Sequence, residues 1–240
     1  MPVDKSSDRV RSMFGRIAQR YDFLNHLLSL GIDHYWRWRT VRLVSPSGSL
    51  PILDVCTGTG DLALAYDRAA GHKTPIVGAD FCYEMLEVGR KKAVSKKADG
   101  RITFIEADAQ NLPVPNDAFQ IVCVAFGLRN VADTDRGLAE MTRACAPDGR
   151  VAVLEFSTPT WQPFKAVYGW YFRNILPRIG KIFARGSEDA YEYLPTSVGE
   201  FPQGEALANR MRAAGLTAIR RYPLTLGVAT LYVGKKSVSL

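Results

Sequence analysis

Three short stretches hold side chains suited to binding or reaction. The first is ILDVCTGTGDLAL, residues 52–64. Gly58 and Gly60 let a backbone bend tightly and approach a ligand closely. A helix starting just after them presents free N–H groups. Asp54 closes the apolar run and can accept hydrogen bonds from a cationic or hydroxylated ligand. Asp80 follows Gly60 by twenty residues, where an open α/β sheet places a ribose-reading carboxylate. The second stretch is EADAQNLP, residues 106–113. Asp108 and the backbone amide of Ala109 can read an adenine edge there. The plainer role for Asp108 is that of a turn residue. The third is VCVAFGLRNVAD, residues 122–133, which sets Arg129 and Asn130 just beyond a buried apolar run. A guanidinium and an amide at that exit suit a place where negative charge develops. The plainer role for Arg129 is an ion pair with Asp133 or Asp135.

These groups need a scaffold that brings strand ends together. Short apolar runs at 52–55, 76–79, 103–106, 121–125 and 151–155 alternate with helical patterns at 61–70, 84–97 and 134–146. Such alternation predicts a parallel sheet covered on both faces. Pro147-Asp148-Gly149 is expected to end the last of those helices. A helix at 204–214 is followed by runs at 217–224 and 228–233, joined too tightly to be parallel. The sheet is therefore expected to be mostly parallel with one reversed strand. Ahead of it, residues 12–43 read as helical, with Ser29-Leu30-Gly31 as a stop and a second helix at 33–44.

Composition narrows the function. The chain has 240 residues, 47% hydrophobic, enough for one substantial core. Cys56, Cys82, Cys123 and Cys145 form no CxxC pair, and His26, His34 and His72 lack metal-type spacing. No metal site and no disulfide frame are expected. A net charge of +7 allows attraction to anionic lipid or nucleic acid. No nucleic-acid module accompanies it, so no nucleic-acid partner is expected. No run reaches the roughly 18 apolar residues of a membrane span. A cytoplasmic protein, peripheral on the inner face of the membrane, is the expected setting.

The glycine turn alone fits a dinucleotide site, a ligand-free strand–helix turn, or a site for S-adenosyl-L-methionine. Asp54 and Asp61 flanking the glycines suit a cationic ligand better than a pyrophosphate. The terminal antiparallel pair also favours the last reading. With MFGRIAQRYDFLNHLLSLGIDHYWR, GADFCYEML, ADAQNLPVPNDAF, FGLRNV, LEFSTP and YLPTSVGEFP added, the sequence resembles the menaquinone/ubiquinone C-methyltransferases, the UbiE/MenG family. The resemblance spans nearly the whole chain. RYDFLNHLLSLG, FGLRN and LEFSTP are its most specific parts.

That resemblance implies a class I, Rossmann-like methyltransferase fold, with a seven-stranded sheet in one domain over residues 1–240. Residues 1–44 would form a helical cap, and 157–200 an insertion facing substrate and membrane. It implies methyl transfer from S-adenosylmethionine to a ring carbon of a polyprenylated quinol, most like demethylmenaquinol. The alternatives are the equivalent ubiquinone-pathway step, another small-molecule methylation, an NAD-binding oxidoreductase, or a regulatory module that only binds the cofactor. Asp54, Gly58, Thr59, Gly60, Asp80, Asp108 and Ala109 are the expected cofactor residues. Tyr21, Arg129 and Asn130 would meet substrate, with Arg129 stabilising a phenolate and Asn130 orienting the ring or a water. His26 is a candidate base, with a water on Asn130 as its equal. One departure stands out: Cys56 occupies a position where such enzymes often have glycine.

Between Phe156 and Ser187 there is no acidic residue. Lys165, Arg173, Arg178, Lys181 and Arg185 alternate there with Trp161, Phe164, Tyr168, Trp170, Tyr171, Phe172 and Phe183. That mixture suits an interfacial surface on anionic lipid. A substrate lid or a homodimer contact is the competing use.

Overall fold

The computed structural model describes residues 6–171, 174 and 188–238. Its centre is a seven-stranded sheet: β1 Ile52–Val55, β2 Ile76–Asp80, β3 Ile102–Glu106, β4 Phe119–Ala125, β5 Cys145–Phe156, β6 Leu216–Leu224 and β7 Ala229–Lys236. The spatial order is β3-β2-β1-β4-β5-β7-β6. Pairings from β3 across to β5 are parallel. β7 runs antiparallel to both β5 and β6, so it is the single reversed strand. Ile52, Leu53, Ile121 and Val122 are fully buried, which is why their strands read as unbroken apolar runs.

Helices α1 Ser7–Ile17, α2 Tyr21–Leu28 and α3 Ile32–Leu43 precede the sheet. The expected helical span 12–43 thus starts earlier, stops at Ser29-Leu30-Gly31 as expected, and has one further break before it. A 3-10 turn at Ala18–Arg20 separates α1 from α2, and Gly31 at φ +75° opens α3. The connecting helices are α4 Asp61–Ala69, α5 Tyr83–Ser95 and α6 Thr134–Ala144. Beyond β5 come α7 Gln162–Trp170, α8 Glu188–Glu200 and α9 Glu205–Ala213.

Pro147-Asp148-Gly149 does not mark the end of a helix. α6 stops at Ala144, and β5 has already begun at Cys145. Cys145 pairs with Phe119, and the ladder resumes with Arg150 opposite Ile121. The residues between bulge out, with Asp148 at φ +63°. Proline has no N–H to give a ladder, so the bulge absorbs it.

β1 has β2 on one side and β4 on the other, so chain direction away from it reverses there. Such a switch point opens a crevice at the strand carboxyl ends. The glycine turn, Asp80, the 107–110 turn and the 126–130 turn all leave the sheet at that edge.

Candidate active site

Two cavities open at this edge. The first, about 460 Å³, is lined by Gly58, Asp80, Phe81, Met85, Ala107–Gln110, Gly127 and Asn130, with Val10, Arg11 and Phe14 of α1 above. The second, about 410 Å³, lies under α2 and α3. Leu28, Trp36, Phe156, Phe164, Tyr168 and Tyr171 give it a mostly apolar wall, into which Asp54, Arg37 and Arg129 are set. Tyr21, Cys56, Gly58, Ala125 and Phe126 line both.

Gly58 lines both cavities, whereas Gly60, expected beside it at the cofactor, lines neither. Gly58 stands at φ +55° and Gly60 at φ +79°. A Cβ on Gly60 would come within 2.9 Å of the Phe104 ring. Gly58 N–H donates to Asp80 Oδ2 at 2.8 Å, and Cys82 N–H to Oδ1 at 2.9 Å. Asp80 therefore ties the first turn to the second strand while facing the first cavity. Burial pushes its carboxyl up to about 6, against the pull of those N–H groups. Asp54 is buried more deeply, and burial takes its carboxyl up to about 7. It accepts the Thr57 hydroxyl at 2.6 Å. Asp108 is exposed on the rim of the first cavity and accepts the Gln110 N–H at 2.9 Å. It thus holds a turn and faces the cavity at once. Ala109 is buried beside it.

Several expected site residues have other engagements. Thr59 lines the second cavity, but its hydroxyl donates to Asp22 Oδ1 at 2.5 Å. Asp61 is held by Lys92 and, at 3.4 Å, by Arg37. Those two cations keep its carboxyl below the ordinary range despite burial. It is therefore neutralised inside the protein and not left to read a cationic ligand. His26 lines neither cavity. Its Nδ1 lies 2.7 Å from Asp33 Oδ2, and its ring stacks on His34 at 4.2 Å. His26, Asp33 and His34 do cluster in space, which their sequence spacing does not suggest. Asp33, however, is already taken by Ser29 and Arg37, which outweigh burial and bring its carboxyl down to about 2.

Arg129 is 5% exposed and faces the second cavity. Its acid partner is neither Asp133 nor Asp135. Asp133 caps α6, and Asp135 pairs with Arg210. Arg129 instead pairs with Glu155 at the end of β5, Nη1 to Oε2 at 3.2 Å. The same nitrogen donates to the Phe126 carbonyl, and the guanidinium stands 5.4 Å from the Phe156 ring centre. Its Nε has no hydrogen-bond partner among the described residues. Asn130 faces the other way, onto the first cavity, with Oδ1 likewise buried and unpartnered. The two neighbours, expected to act on one substrate, thus face different cavities. Tyr21 is on the shared wall, its hydroxyl pushed up by burial against the opposing field of Arg129.

Sequence reasoning passed over most of that wall. Phe126 packs against Phe156 at 4.5 Å and Trp36 at 5.6 Å between ring centres. Phe126 and Cys56 both adopt left-handed backbone, φ +58° and +52°. The conformation at Cys56 is one that glycine adopts freely and cysteine does not. Glu155 was visible only as part of LEFSTP, and its role needed the partner. Arg178, Lys181 and Arg185, with Arg173, Phe172 and Phe183, lie outside the described residues.

The fold recurs in solved structures. A SAM-dependent methyltransferase from Thermotoga maritima superposes with TM-score 0.64 at 16% identity, over 94% of this chain and 99% of that one. The [4+2]-cyclase SpnF superposes at 0.69 with 17% identity, over 100% and 99%. Sheet order, reversed strand and glycine turn define the class I methyltransferase fold, which by itself does not decide the reaction. Sequence comparison goes further: the chain belongs to the ubiE/COQ5 methyltransferase family, whose pattern matches residues 3–236. It is 46% identical to the ubiquinone/menaquinone biosynthesis C-methyltransferase UbiE of Citrifermentans bemidjiense, over 98% of this chain and 99% of that one. It is 48% identical to the demethylmenaquinone methyltransferase of Thermus thermophilus, over 93% and 100%.

Proposed function

We propose that this protein moves the methyl group of S-adenosylmethionine to a ring carbon of a polyprenylated quinol, converting demethylmenaquinol to menaquinol. The observation that carries the reading is the meeting of two unlike cavities at Tyr21, Cys56, Gly58, Ala125 and Phe126. One is built for a nucleoside and the other for an apolar ring.

The first cavity fits the cofactor. Its volume of about 460 Å³ lies within the range of about 300–1,000 Å³ for such sites. Gly58 and Gly127 leave room where a Cβ would press on Met85 or Cys56. Asp80 would hold the ribose, Asp108 and Ala109 the adenine edge, and the orphaned Asn130 Oδ1 a donor on the amino-acid end. Asp54, expected to hold the cofactor, lines the second cavity and not this one. When bound, S-adenosylmethionine supplies an electrophilic methyl on a positively charged sulfur.

The second cavity would hold the quinol ring against Phe126, Phe156 and Trp36. A ring carbon becomes nucleophilic as a neighbouring hydroxyl loses its proton to water. Once the methyl has left sulfur for that carbon, the carbon's own hydrogen leaves to water as a proton and the ring regains its aromaticity. Arg129 Nε, buried and unpartnered, would donate to that oxygen as charge grows on it. Tyr21 would set the ring's approach from the cap side. Alignment of carbon and methyl across the shared wall accounts for much of the acceleration.

The membrane reading draws on the rim of the second cavity. Leu30 on its edge and Leu226, next to lining residue Thr225, are exposed. Trp161 precedes α7 and Trp170 ends it, both exposed, while Phe164 and Tyr168 of that helix line the cavity. No helix among the described residues is long and apolar enough to cross a membrane. A peripheral seat would let a prenyl tail stay in lipid while the ring enters. Flotation with anionic vesicles at low salt should carry the protein up; failure to float would remove this seat.

The test of the reaction is transfer of label from S-adenosylmethionine to reduced demethylmenaquinone and to a demethylated ubiquinol precursor, side by side. Label in the naphthoquinol supports the proposal. Label only in the benzoquinol assigns the ubiquinone-pathway step. No label in either, with cofactor bound, overturns the quinol reading.

A further inference from the structure

The joint between cap and sheet carries a set of charges that the cavities do not use. α2 opens with Tyr21 and Asp22. Tyr21 faces the shared wall. Asp22 faces the glycine turn, where it accepts the Thr59 hydroxyl at 2.5 Å. Lys92 reaches the same place from α5. Its Nζ lies 2.6 Å from Asp22 Oδ2 and 3.1 Å from Thr59 Oγ1, and it also binds Asp61. Lys92 lines neither cavity. On the far side of Asp61, Arg37 of α3 bridges to Asp33. Two cations thus hold three carboxylates where the cap meets the turn. The apolar contact at α5 is small: Ala18, Cys82 and Met85, with Phe14, Tyr21 and Val88 half-buried against them.

We propose that Lys92 is a positioning residue, a clamp that fastens α2 to the glycine turn and so holds Tyr21 on the wall between the cavities. Without its ammonium, Asp22 and Asp61 become near neighbours of like charge, with Arg37 reaching only the second. Their repulsion would lift the start of α2, and Tyr21 with it. The side chains are 24%, 27% and 20% exposed for Lys92, Asp22 and Asp61. Water competes for them, so the clamp opens at modest cost. That suits a cap that lies over both cavities and must admit ligands. A cap held closed less often lowers apparent affinity in proportion to the competent fraction.

The experiment compares full-length wild type, Lys92→Met and Lys92→Arg. The first readout is limited trypsin digestion without ligands, which needs no turnover. Arg16 and Arg20 are exposed at the α1–α2 joint. Lys92→Met should be cut there about tenfold faster while the sheet core persists, and Lys92→Arg should restore the slow rate. The second readout rests on the methyl-transfer reading. The KM for S-adenosylmethionine should rise about tenfold in Lys92→Met, with kcat at saturation within about threefold because ligand closes the cap. Asp22→Asn breaks the ion pair of α2 with Lys92 without leaving two like charges together, so it should give the same pattern at a smaller size, which covers a Lys92→Met protein that does not fold. Folded Lys92→Met with wild-type cutting and wild-type KM overturns the clamp. So does loss of cap and core at one common rate in both variants. If wild type transfers no methyl, the digestion result still decides the clamp while the reaction fails separately.

Discussion

Neutralising Glu155 exposes what the Arg129 ion pair is worth. Glu155 is 1% exposed and Arg129 5%. In Glu155→Gln the shape survives, but the guanidinium loses its countercharge. It keeps the Phe126 carbonyl and the Phe156 ring face. Neither is an anion, and water reaches the group poorly. Breaking a buried pair from one side costs about 3–5 kcal/mol. With a urea m-value of about 3 kcal/mol/M, the midpoint should fall by about 1–2 M at unchanged m. The double variant Arg129→Met/Glu155→Gln removes both charges and should recover most of that loss, because no buried charge is then left without its partner. Equilibrium urea unfolding followed by tryptophan fluorescence measures all three proteins. A Glu155→Gln midpoint within about 0.3 M of wild type would refute the reasoning. So would a double variant no more stable than the single. Activity then separates stability from chemistry: the double variant should be folded yet poor in turnover, since Arg129 Nε is gone from the second cavity.

Asp54 and Asp80 set the pH dependence. Their ordinary value is 3.8, and burial moves them to about 7 and about 6. The folded state therefore holds these protons more tightly than the unfolded chain. Stability should be greatest below about pH 4 from these two groups and fall as pH rises through 6 to 7. Asp54→Asn should flatten that slope, so its stability relative to wild type should be greater at pH 8 than at pH 5, read by urea unfolding at the two pH values. Asp80→Asn should also flatten the slope, but at a cost that offsets its gain. Its amide turns an NH₂ toward the Gly58 or Cys82 N–H, leaving a buried donor unmet at about 1–3 kcal/mol. Calorimetry with S-adenosylhomocysteine should show weaker binding in that variant. Gly127→Ala places a Cβ 2.3 Å from Cys56 Cβ and should destabilise by several kcal/mol, about 3. Adding Cys56→Gly removes the obstructing atom and relieves the φ +52° backbone, so the pair should be more stable than Gly127→Ala alone by thermal melting.

What the sequence made legible was local. Runs such as 121–125 announce a buried strand because every second neighbour on either face is protein, and the glycine turn announces itself because few other residues tolerate its backbone. Asp80 followed from counting along one strand–helix–strand unit. The non-local facts were out of reach. Arg129 was offered Asp133 and Asp135, which are close in sequence, but both lie on or before α6. The β4–β5 register pairs Ala125 with Leu154 and so brings Glu155 beside the 126–129 turn. No spacing rule within one segment contains that register. The same holds for Lys92, whose partners Asp22 on one side and Thr59 and Asp61 on the other come from two distant segments. Its lysine-rich helix reads as a solvated face until the cap is laid over it. His26 shows the converse, held by a local partner and lining neither cavity. Its chemistry was right for a base, but Asp33 lies seven residues on in the same hairpin of helices, and a nearby carboxylate claims an imidazole before a distant cavity can. Residue type proposes a role, and the competition among partners within reach decides it. On the cavity walls the fold surrounds three polar atoms without satisfying them among the described residues, Arg129 Nε and Arg37 Nε on the second cavity and Asn130 Oδ1 on the first.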